Sequence, residues 1–374
     1  MKLSNFPYLI QKEILDHLSI NQLFFFSLCS KNTKNFIKQT QKYQLKKVER
    51  VTYSIRSTLK RIYVKTANKS HDSVVMCLYK SMMDFQRYGR DGVVQEVRVN
   101  ELATPINFFR CLTTDSDLHA KYCPDTLESI IESIHSQLYD LLGNHTKFWI
   151  HSCDHDPKDG TRCLPLLQNI QKAEVFGKGF ESTRIDEFLD RSTCLEYFLF
   201  GTHSEQPAIK LRENSKLYDL DTVYVHTLFD AWFMANDVLK RFNGRHAFLD
   251  AKLDTSDVIQ FLNEWKLGNK YKNLELISLD SGFNLQEILS SVEIKEVVRE
   301  VKCSFIQRFE EKNTYFPHLD SGEFRSHRYM VRESDGHVAS VMLTERLIMM
   351  GVWNMTEKEF LIKLNQPIET VPFL

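Results

Sequence analysis

The apolar residues near the start of the chain recur at the spacing of a helix. Pro7 lies at a first-turn position, where its missing N–H costs nothing, and the pattern predicts a helix over 7–18. The apolar residues that define this helix are Leu9, Ile10, Ile14, Leu15 and Leu18. Asn21 is predicted to cap a second helix over 22–30, and a basic third helix is predicted over 32–44.

The predicted second helix is apolar around almost its whole circumference, since the segment 22–29 reads Gln-Leu-Phe-Phe-Phe-Ser-Leu-Cys. A helix of this kind is buried rather than lying on a solvated surface. The neighbouring helix is too short to cover it on every side. We therefore expect part of its surface to bind another protein, the alternative being a helical hairpin packed on its own domain.

Short β-rich runs follow at 51–55, 61–65, 74–78 and 93–99, and their short connections predict antiparallel pairing. A helix is predicted over 126–142, followed by a strand at 147–150. Apolar strands then begin at residues 173, 195, 222, 247 and 274, at intervals of 22 to 27 residues. Helical patterns at 183–191, 227–242 and 256–267 lie between them.

This alternation predicts parallel strands with right-handed crossovers, and the interval is typical of leucine-rich-type α/β repeats. A non-repetitive α/β domain with the same spacing is the alternative. The C-terminal part, with strands at 323–332, 337–342 and 347–353 and a turn at 334–336, predicts an antiparallel meander. The predicted fold class is α/β, α+β overall: three N-terminal helices, then a leucine-rich-repeat-like domain with antiparallel strands near both ends.

Charge and glycine content exclude several classes of function. The chain has 48 Lys and Arg against 49 Asp and Glu, so its net charge of -1 argues against a nucleic-acid binder acting through its whole surface. It has only 13 Gly in 374 residues, whereas enzymes that hold phosphates with backbone amides use clustered glycines. We find no motif of a hydrolase, metalloprotease or nucleotide-binding loop. No catalytic residue, cofactor or metal is predicted.

The eight cysteines are scattered, with no Cys-x-x-Cys pair, which is typical of reduced thiols. No signal-peptide core and no apolar run of about 18 residues is present, so we expect a cytoplasmic or nuclear protein without a membrane span. Two histidines and two cysteines at His151, Cys153, His155 and Cys163 could supply a zinc site. The spacing favours a solvated loop instead.

The segment 31–65 contains eleven Lys and Arg and a single acid, Glu49. Such a stripe could bind the phosphates of nucleic acid. A solvated basic face beside an acidic partner explains it as well, because complementary charge accelerates docking.

The first 45 residues resemble an F-box. Its opening Leu-Pro is matched by Phe6-Pro7, its second helix by the segment 23–29, and its closing basic residue by Lys31, while Tyr8-Leu9 and Thr33 depart from the pattern. The resemblance implies a substrate-receptor subunit of an SCF-type ubiquitin ligase. Its partners would be a Skp-family adaptor, through it cullin and a RING subunit, and a protein substrate. The implied adaptor-binding residues are Phe6, Pro7, Ile10, Ile14, Leu15, Leu18, Leu23, Phe24, Phe25 and Leu28.

A second resemblance concerns the C-terminal half. The run 257–268 with Leu274-Glu275-Leu276, and the later Arg332–Gly336 with Val352-Trp353, look like the type-two F-box-associated domain of nematode F-box proteins. The predicted domains are therefore an F-box at 1–45, a strand-rich linking region at 46–125 and a substrate-binding α/β domain at 126–374. The alternatives are a ligase-independent interaction scaffold and a small hydrolase or transferase within the α/β region.

Overall fold

A computed structural model describes residues 5–56, 59–67, 72–79, 94–97, 106–110, 118–154, 164–177, 180–202, 210–227, 232–304 and 323–364. The chain divides into two compact units. The first comprises Met1–Gly177 and Glu187–Leu195, and the second comprises Lys178–Asp186 and Glu196–Leu374. The predicted domain boundaries at 45 and 125 therefore both lie inside the first unit.

Four helices open the first unit: α1 (Tyr8–Asp16), α2 (Ile20–Cys29), α3 (Lys31–Thr40) and α4 (Lys42–Lys46). The predicted single helix over 32–44 is thus wrong, because the chain leaves helical geometry at Gln41. The predicted cap is also corrected. Ser19 caps α2 in a capping box with Gln22, and Asn21 lies inside the helix, where it is buried.

The first unit continues with strands and one long helix. The strands are β1 (Val48–Arg56), β2 (Leu59–Thr66), β3 (Ser73–Tyr79), β4 (Val94–Val97), β5 (Ile106–Arg110), β6 (Leu118–Lys121), β7 (Lys147–Asp154) and β8 (Ile170–Gly177), and the helix is α5 (Leu127–Leu142). They form a sheet in the order β8-β7-β1-β2-β3-β6-β5-β4. The predicted antiparallel pairing of β1, β2 and β3 is confirmed. The parallel pairing of β1 with β7 was not predicted.

Helix α5 packs on this sheet through a buried polar contact in an otherwise apolar core. The Nε2 of His135 donates to the carbonyl of Gln168 at 2.8 Å, so its Nδ1 accepts from the hydroxyl of Tyr53 on β1 at 2.9 Å. Burial lowers the pKa of His135 to about 4, and the imidazole is neutral. The contact joins helix, sheet and the segment that precedes β8.

Parallel strands and helices alternate in the second unit. The elements are α6 (Ser182–Arg191), which contributes residues to both units, then β9 (Tyr197–Thr202), β10 (Thr222–Thr227), α7 (Trp232–Arg241), β11 (His246–Asp250), α8 (Thr255–Leu267), β12 (Leu276–Asp280) and α9 (Leu285–Ser291). Strands β9 to β12 are parallel neighbours in chain order, as predicted. Helix α9 was not predicted.

The sheet of the second unit ends in the predicted meander. Strands β14 (Glu323–Val331), β15 (His337–Leu343) and β16 (Leu347–Thr356) are antiparallel, and β16 pairs with β12. Strand β13 (Lys295–Ser304) and helix α10 (Glu357–Leu364) complete the unit and were not predicted. Gly336 adopts φ +73° in the hairpin turn, as its place after Ser334-Asp335 suggested.

Successive strands of the second unit are joined by polar side chains at equivalent positions. Asp219, Asn243 and Asn273 each lie three residues before a strand. The Nδ2 of Asn243 donates to Oδ1 of Asp219 at 3.4 Å, and the Nδ2 of Asn273 donates to the carbonyl of Asn243 at 3.0 Å. The following residue is a buried Leu at positions 220 and 274, whereas Gly244 takes this place before β11. The crossovers therefore share one local geometry.

Candidate functional site: the apolar surface of the N-terminal helices

Helix α1 carries apolar side chains on more than one face. Leu15 is fully buried, whereas Leu9 is 76% exposed and Ile10 is 47% exposed. Tyr8 is also exposed and meets the ring of Phe36 on α3 edge to face, with 5.9 Å between centroids. One helix stripe cannot bury apolar residues at three consecutive positions, so residues 8–10 leave apolar area in solvent.

The apolar circumference of α2 is covered mainly inside the first unit, because this helix contacts α3, α5 and β3. Leu23, Phe24 and Leu28 are buried, Phe25 is partly buried, and Phe26 is exposed. The packing accounts for most of the surface that the sequence assigned to an external partner. Among the described residues of α2, the edge around Phe26 is the part left at the surface.

The structure separates the ten predicted adaptor-binding residues into three groups. Leu15, Leu23, Phe24 and Leu28 are buried in the first unit. Phe6, Leu18 and Phe25 are partly buried, and Pro7, Ile10 and Ile14 are exposed. Sequence reasoning did not select three exposed apolar residues, Tyr8, Leu9 and Phe26. Their exposure could have been inferred from two runs of apolar residues, Tyr8-Leu9-Ile10 and 24–26, because consecutive residues of a helix cannot share one face.

Ion pairs attach the N-terminal helices to helix α5. Lys34 and Lys38 on α3 both contact the carboxylate of Asp140, with N–O distances of 2.6 and 2.7 Å. Their hydrogen bonds hold the pKa of Asp140 below its usual value. These contacts are partly solvated, so they orient α3 more than they stabilise it.

Two side-chain contacts fix the other helices. The Nδ2 of Asn21 donates to the carbonyl of Val74 on β3 at 2.6 Å, which ties α2 to the sheet. The Nε2 of Gln41 donates to Oδ1 of Asp16 at 2.6 Å, which holds the end of α1 against the break between α3 and α4. The helices and the sheet therefore form one packed body within the first unit.

The basic stretch 31–65 is not a single solvated face. Besides Lys34 and Lys38, Arg50 pairs with Asp72 at 3.0 Å and lies over the ring of Trp149 at 4.0 Å. Lys60 is buried and lies near the ring of Tyr122. Several of these positive side chains therefore form ion pairs or ring contacts within the first unit.

A charged cluster lies on β7 and β8. The Nδ1 of His151 is 2.8 Å from Oε2 of Glu174, and Lys172 Nζ is 2.8 Å from Oε1 of the same carboxylate. Burial opposes ionisation of Glu174, but hydrogen bonds from His151 and the charge of Lys172 lower its pKa to about 2. Of the four residues that could have supplied a zinc site, His155 and Cys163 lie outside the described residues. Within the described ranges no group of three potential metal ligands occurs.

None of the helices in the described part of the chain is long and apolar enough to cross a membrane. Residues 3–45 match the family model of the F-box domain, and this segment is an F-box domain. F-box domains typically bind a Skp-family adaptor to form SCF complexes, and F-box proteins are in general non-catalytic adaptor subunits of ubiquitin ligases. No curated protein and no solved structure matches the chain significantly.

Proposed function

We propose that this protein is a substrate-receptor subunit of an SCF-type ubiquitin ligase. The observation that supports the proposal is the exposed apolar area on an F-box: Leu9, Ile10, Ile14 and Phe26 lie at the surface of helices α1 and α2. Exposed apolar area of this kind is typical of a protein interface. A Skp-family adaptor covers it, and the adaptor links the chain to cullin and the RING subunit.

The receptor forms and breaks no covalent bond in this function. It holds a target protein near the ubiquitin-conjugating enzyme, so that ubiquitin transfer takes place at high effective concentration. Packing of α3 on α5 through Asp140 serves this purpose, because it orients the F-box on the sheet of the first unit. The complex acts in the cytoplasm or nucleus.

The second unit is the substrate-binding part in this proposal. Its regular crossovers, joined through Asp219, Asn243 and Asn273, support a leucine-rich-repeat-like interpretation. The hairpin with Arg332, Asp335 and Gly336 supports the assignment as a type-two F-box-associated domain. Repeats of this kind offer extended surfaces to protein ligands.

Co-purification with the adaptor tests the proposal. The double variant Leu9→Asp with Ile10→Asp places two charges on exposed positions, so adaptor binding is lost while the protein stays folded. Ile362→Asp on α10 is the matched control, since Ile362 is 54% exposed and lies outside the F-box. Retention of the adaptor by the double variant, with the thermal melt unchanged, would refute the proposed surface.

A ligase-independent scaffold is the alternative, and it uses the same helices. The two functions differ in what the adaptor brings with it. In an SCF receptor, cullin co-purifies with the wild-type chain and not with the double variant, and a bound partner turns over in a proteasome-sensitive way. Adaptor binding without cullin, and stable partners, would favour the scaffold.

A further inference from the structure

An open cavity of about 740 Å³ lies in the second unit. The segments 219–221, 243–245 and 272–275, which precede β10, β11 and β12, contribute to its lining. Arg332 and His337 of the hairpin, the end of β16 and Lys363 on α10 complete it. The cavity therefore brings the repeated crossovers and the C-terminal hairpin together at one place. Its volume lies within the range of ligand pockets, about 300–1,000 Å³.

Two exposed lysines in the lining have no acidic partner. The side chain of neither Lys272 nor Lys363 makes a hydrogen bond or an ion pair within the part of the chain that the structure describes. The carboxylates in the lining do have partners. Arg245 Nε donates to Glu275 at 2.6 Å and its Nη1 lies 3.7 Å from Asp221, and Asp219 accepts from Asn243.

Arg332 forms part of the cavity wall as a buried side chain that is fixed by the hairpin. Its side chain is almost fully buried, and its Nε and Nη2 donate to Asp335 at 3.0 and 2.8 Å. Its Nη1 has no hydrogen-bond partner among the described residues. The guanidinium lies 5.4 Å from the centroid of the Trp265 ring, so this donor is enclosed by the protein, and the exposed cations of the lining without an acidic partner are the two lysines.

We propose that this cavity binds an anionic side chain, carboxylate or phosphoryl, of the target protein, with Lys272 and Lys363 as donors. The proposal rests on the receptor function proposed above. Anionic oxygens accept several charge-assisted hydrogen bonds at once, and exposed lysines supply the charge that attracts them. The side-chain amide of Asn354 lies in the same lining and can bind the neighbouring backbone.

A protein segment fits this site better than a nucleic acid. Lys272 and Lys363 lie in the lining of one cavity, whereas binding to a phosphate backbone uses a row of positive groups. The lining also mixes amides and apolar side chains such as Leu274 and Val352 with the charges. That combination suits a polypeptide with one acidic residue.

Binding of degenerate peptide pools to the purified full chain tests the proposal. Fluorescent pools carry phosphoserine, glutamate or serine at a fixed central position, and inorganic phosphate and a random single-stranded RNA are tested in parallel. We expect the phosphoserine or glutamate pool to bind roughly tenfold or more tightly than the serine pool, and more weakly at high salt. The stronger of these two pools identifies the chemical source of the anion. Equal binding of all three pools, or preferred binding of RNA, would overturn the proposal.

Charge-reversal variants test whether Lys272 and Lys363 are the residues that bind the anion. The variant Lys272→Glu with Lys363→Glu should lose the preference for the anionic pools, whereas Lys210→Glu with Lys358→Glu, which changes the same charge at exposed positions outside the lining, should keep it. Thermal melts confirm that both variants fold. Asp219→Asn should strengthen binding, because it removes a negative charge from the lining. An unchanged preference in the first variant would overturn the assignment.

Peptide binding by the cavity can be tested separately from the ligase function. The double variant Leu9→Asp with Ile10→Asp should keep peptide binding, because its substitutions lie on α1 of the first unit. If this variant loses adaptor binding and keeps peptide binding, the adaptor surface and the cavity act independently. If the adaptor and cullin bind and no anionic pool does, only the cavity proposal fails.

Discussion

Lys34 of α3 lies 2.6 Å from a carboxylate oxygen of Asp140 on α5, and Lys38 contacts the other oxygen of the same carboxylate at 2.7 Å. One acidic residue thus joins two lysines, four positions apart on the F-box, to the helix that covers the sheet of the first unit. The hydrogen bonds from these lysines lower the pKa of Asp140. The carboxylate is therefore ionised throughout the physiological range of pH.

Asp140→Asn should lower the free energy of unfolding by about 0.5–1 kcal/mol, because it removes two charge-assisted contacts that are partly solvated. Urea unfolding measures the change. Glu49→Gln is the matched control, since Glu49 is exposed on β1 and its side chain makes no hydrogen bond or ion pair within the described residues. Equal stability of both variants would show that the ion pairs do not hold α3 on α5. Lowering the pH through the depressed pKa of Asp140 should remove the same contribution.

Leu15→Ala should lower stability, whereas Ile10→Ala should weaken adaptor binding. Leu15 is fully buried, so its truncation should cost roughly 2–5 kcal/mol of stability through lost burial and a cavity. Ile10 is 47% exposed, so its truncation should change stability by about 0.5 kcal/mol or less and weaken adaptor binding. Thermal melts and adaptor pull-downs on the same two proteins make the comparison. A stable Leu15→Ala protein that fails to bind the adaptor would contradict this division.

Gly244→Ala should destabilise the second unit. A Cβ at this position would lie 1.8 Å from the carbonyl oxygen of Leu220 and 2.6 Å from the ring of Phe242, and the backbone oxygen cannot move aside cheaply. We expect a loss of roughly 2 kcal/mol or more, by the cost of overpacking. Gly282→Ala is the control, since nothing lies within 4 Å of its added Cβ. Similar melting temperatures for the two variants would contradict the close approach at Gly244.

His151 should make stability depend on pH above neutrality. Burial disfavours its charge, but hydrogen bonds to Cys153 and Glu174 raise its pKa to about 9. The folded protein binds this proton more tightly than the unfolded chain does, so the stabilisation is complete below about pH 6.5 and declines as pH rises through 9. We expect a loss of roughly 1–3 kcal/mol over this interval, measured by urea unfolding at successive pH values.

His151→Gln is the control for this dependence, because glutamine does not titrate. The variant should be less stable near neutral pH, and its stability should change less between pH 6.5 and 9. An NMR titration of the wild-type ring gives the pKa directly. A ring that titrates near its ordinary value would contradict the coupling to Glu174.

The sequence predicted most of the elements correctly because they carry strong periodic signals. The F-box pattern, the helix at 127–142, the parallel strands of the second unit and the terminal hairpin all have regular apolar spacing or a turn residue such as Gly336. Short, weakly apolar elements escaped prediction. Helix α9 has only seven residues, and β13 includes the highly exposed Val298, so neither shows a clear stripe.

The candidate surface was predicted less accurately than the elements. Part of the surface of helix α2 was expected to bind another protein, because the elements that cover it, β3 and α5, are distant in the chain. The periodic pattern could identify Leu23 and Phe24 as apolar, but could not show that they are buried within the first unit. The exposed Leu9 and Phe26 were missed for the same reason. Burial depends on contacts between residues far apart in sequence, which spacing does not encode.

The sequence by itself determined the F-box at residues 3–45, the order of most of the helices and strands, and the absence of clustered glycines. These properties follow from local spacing and composition. Only the tertiary structure decided that Asp140 joins α3 to α5, that Ser19 caps α2, and that Lys272, Lys363 and Arg332 line one cavity. The physical reason is that side-chain contacts and burial arise when distant segments pack, so the same lysine or phenylalanine acquires its role from its neighbours in space.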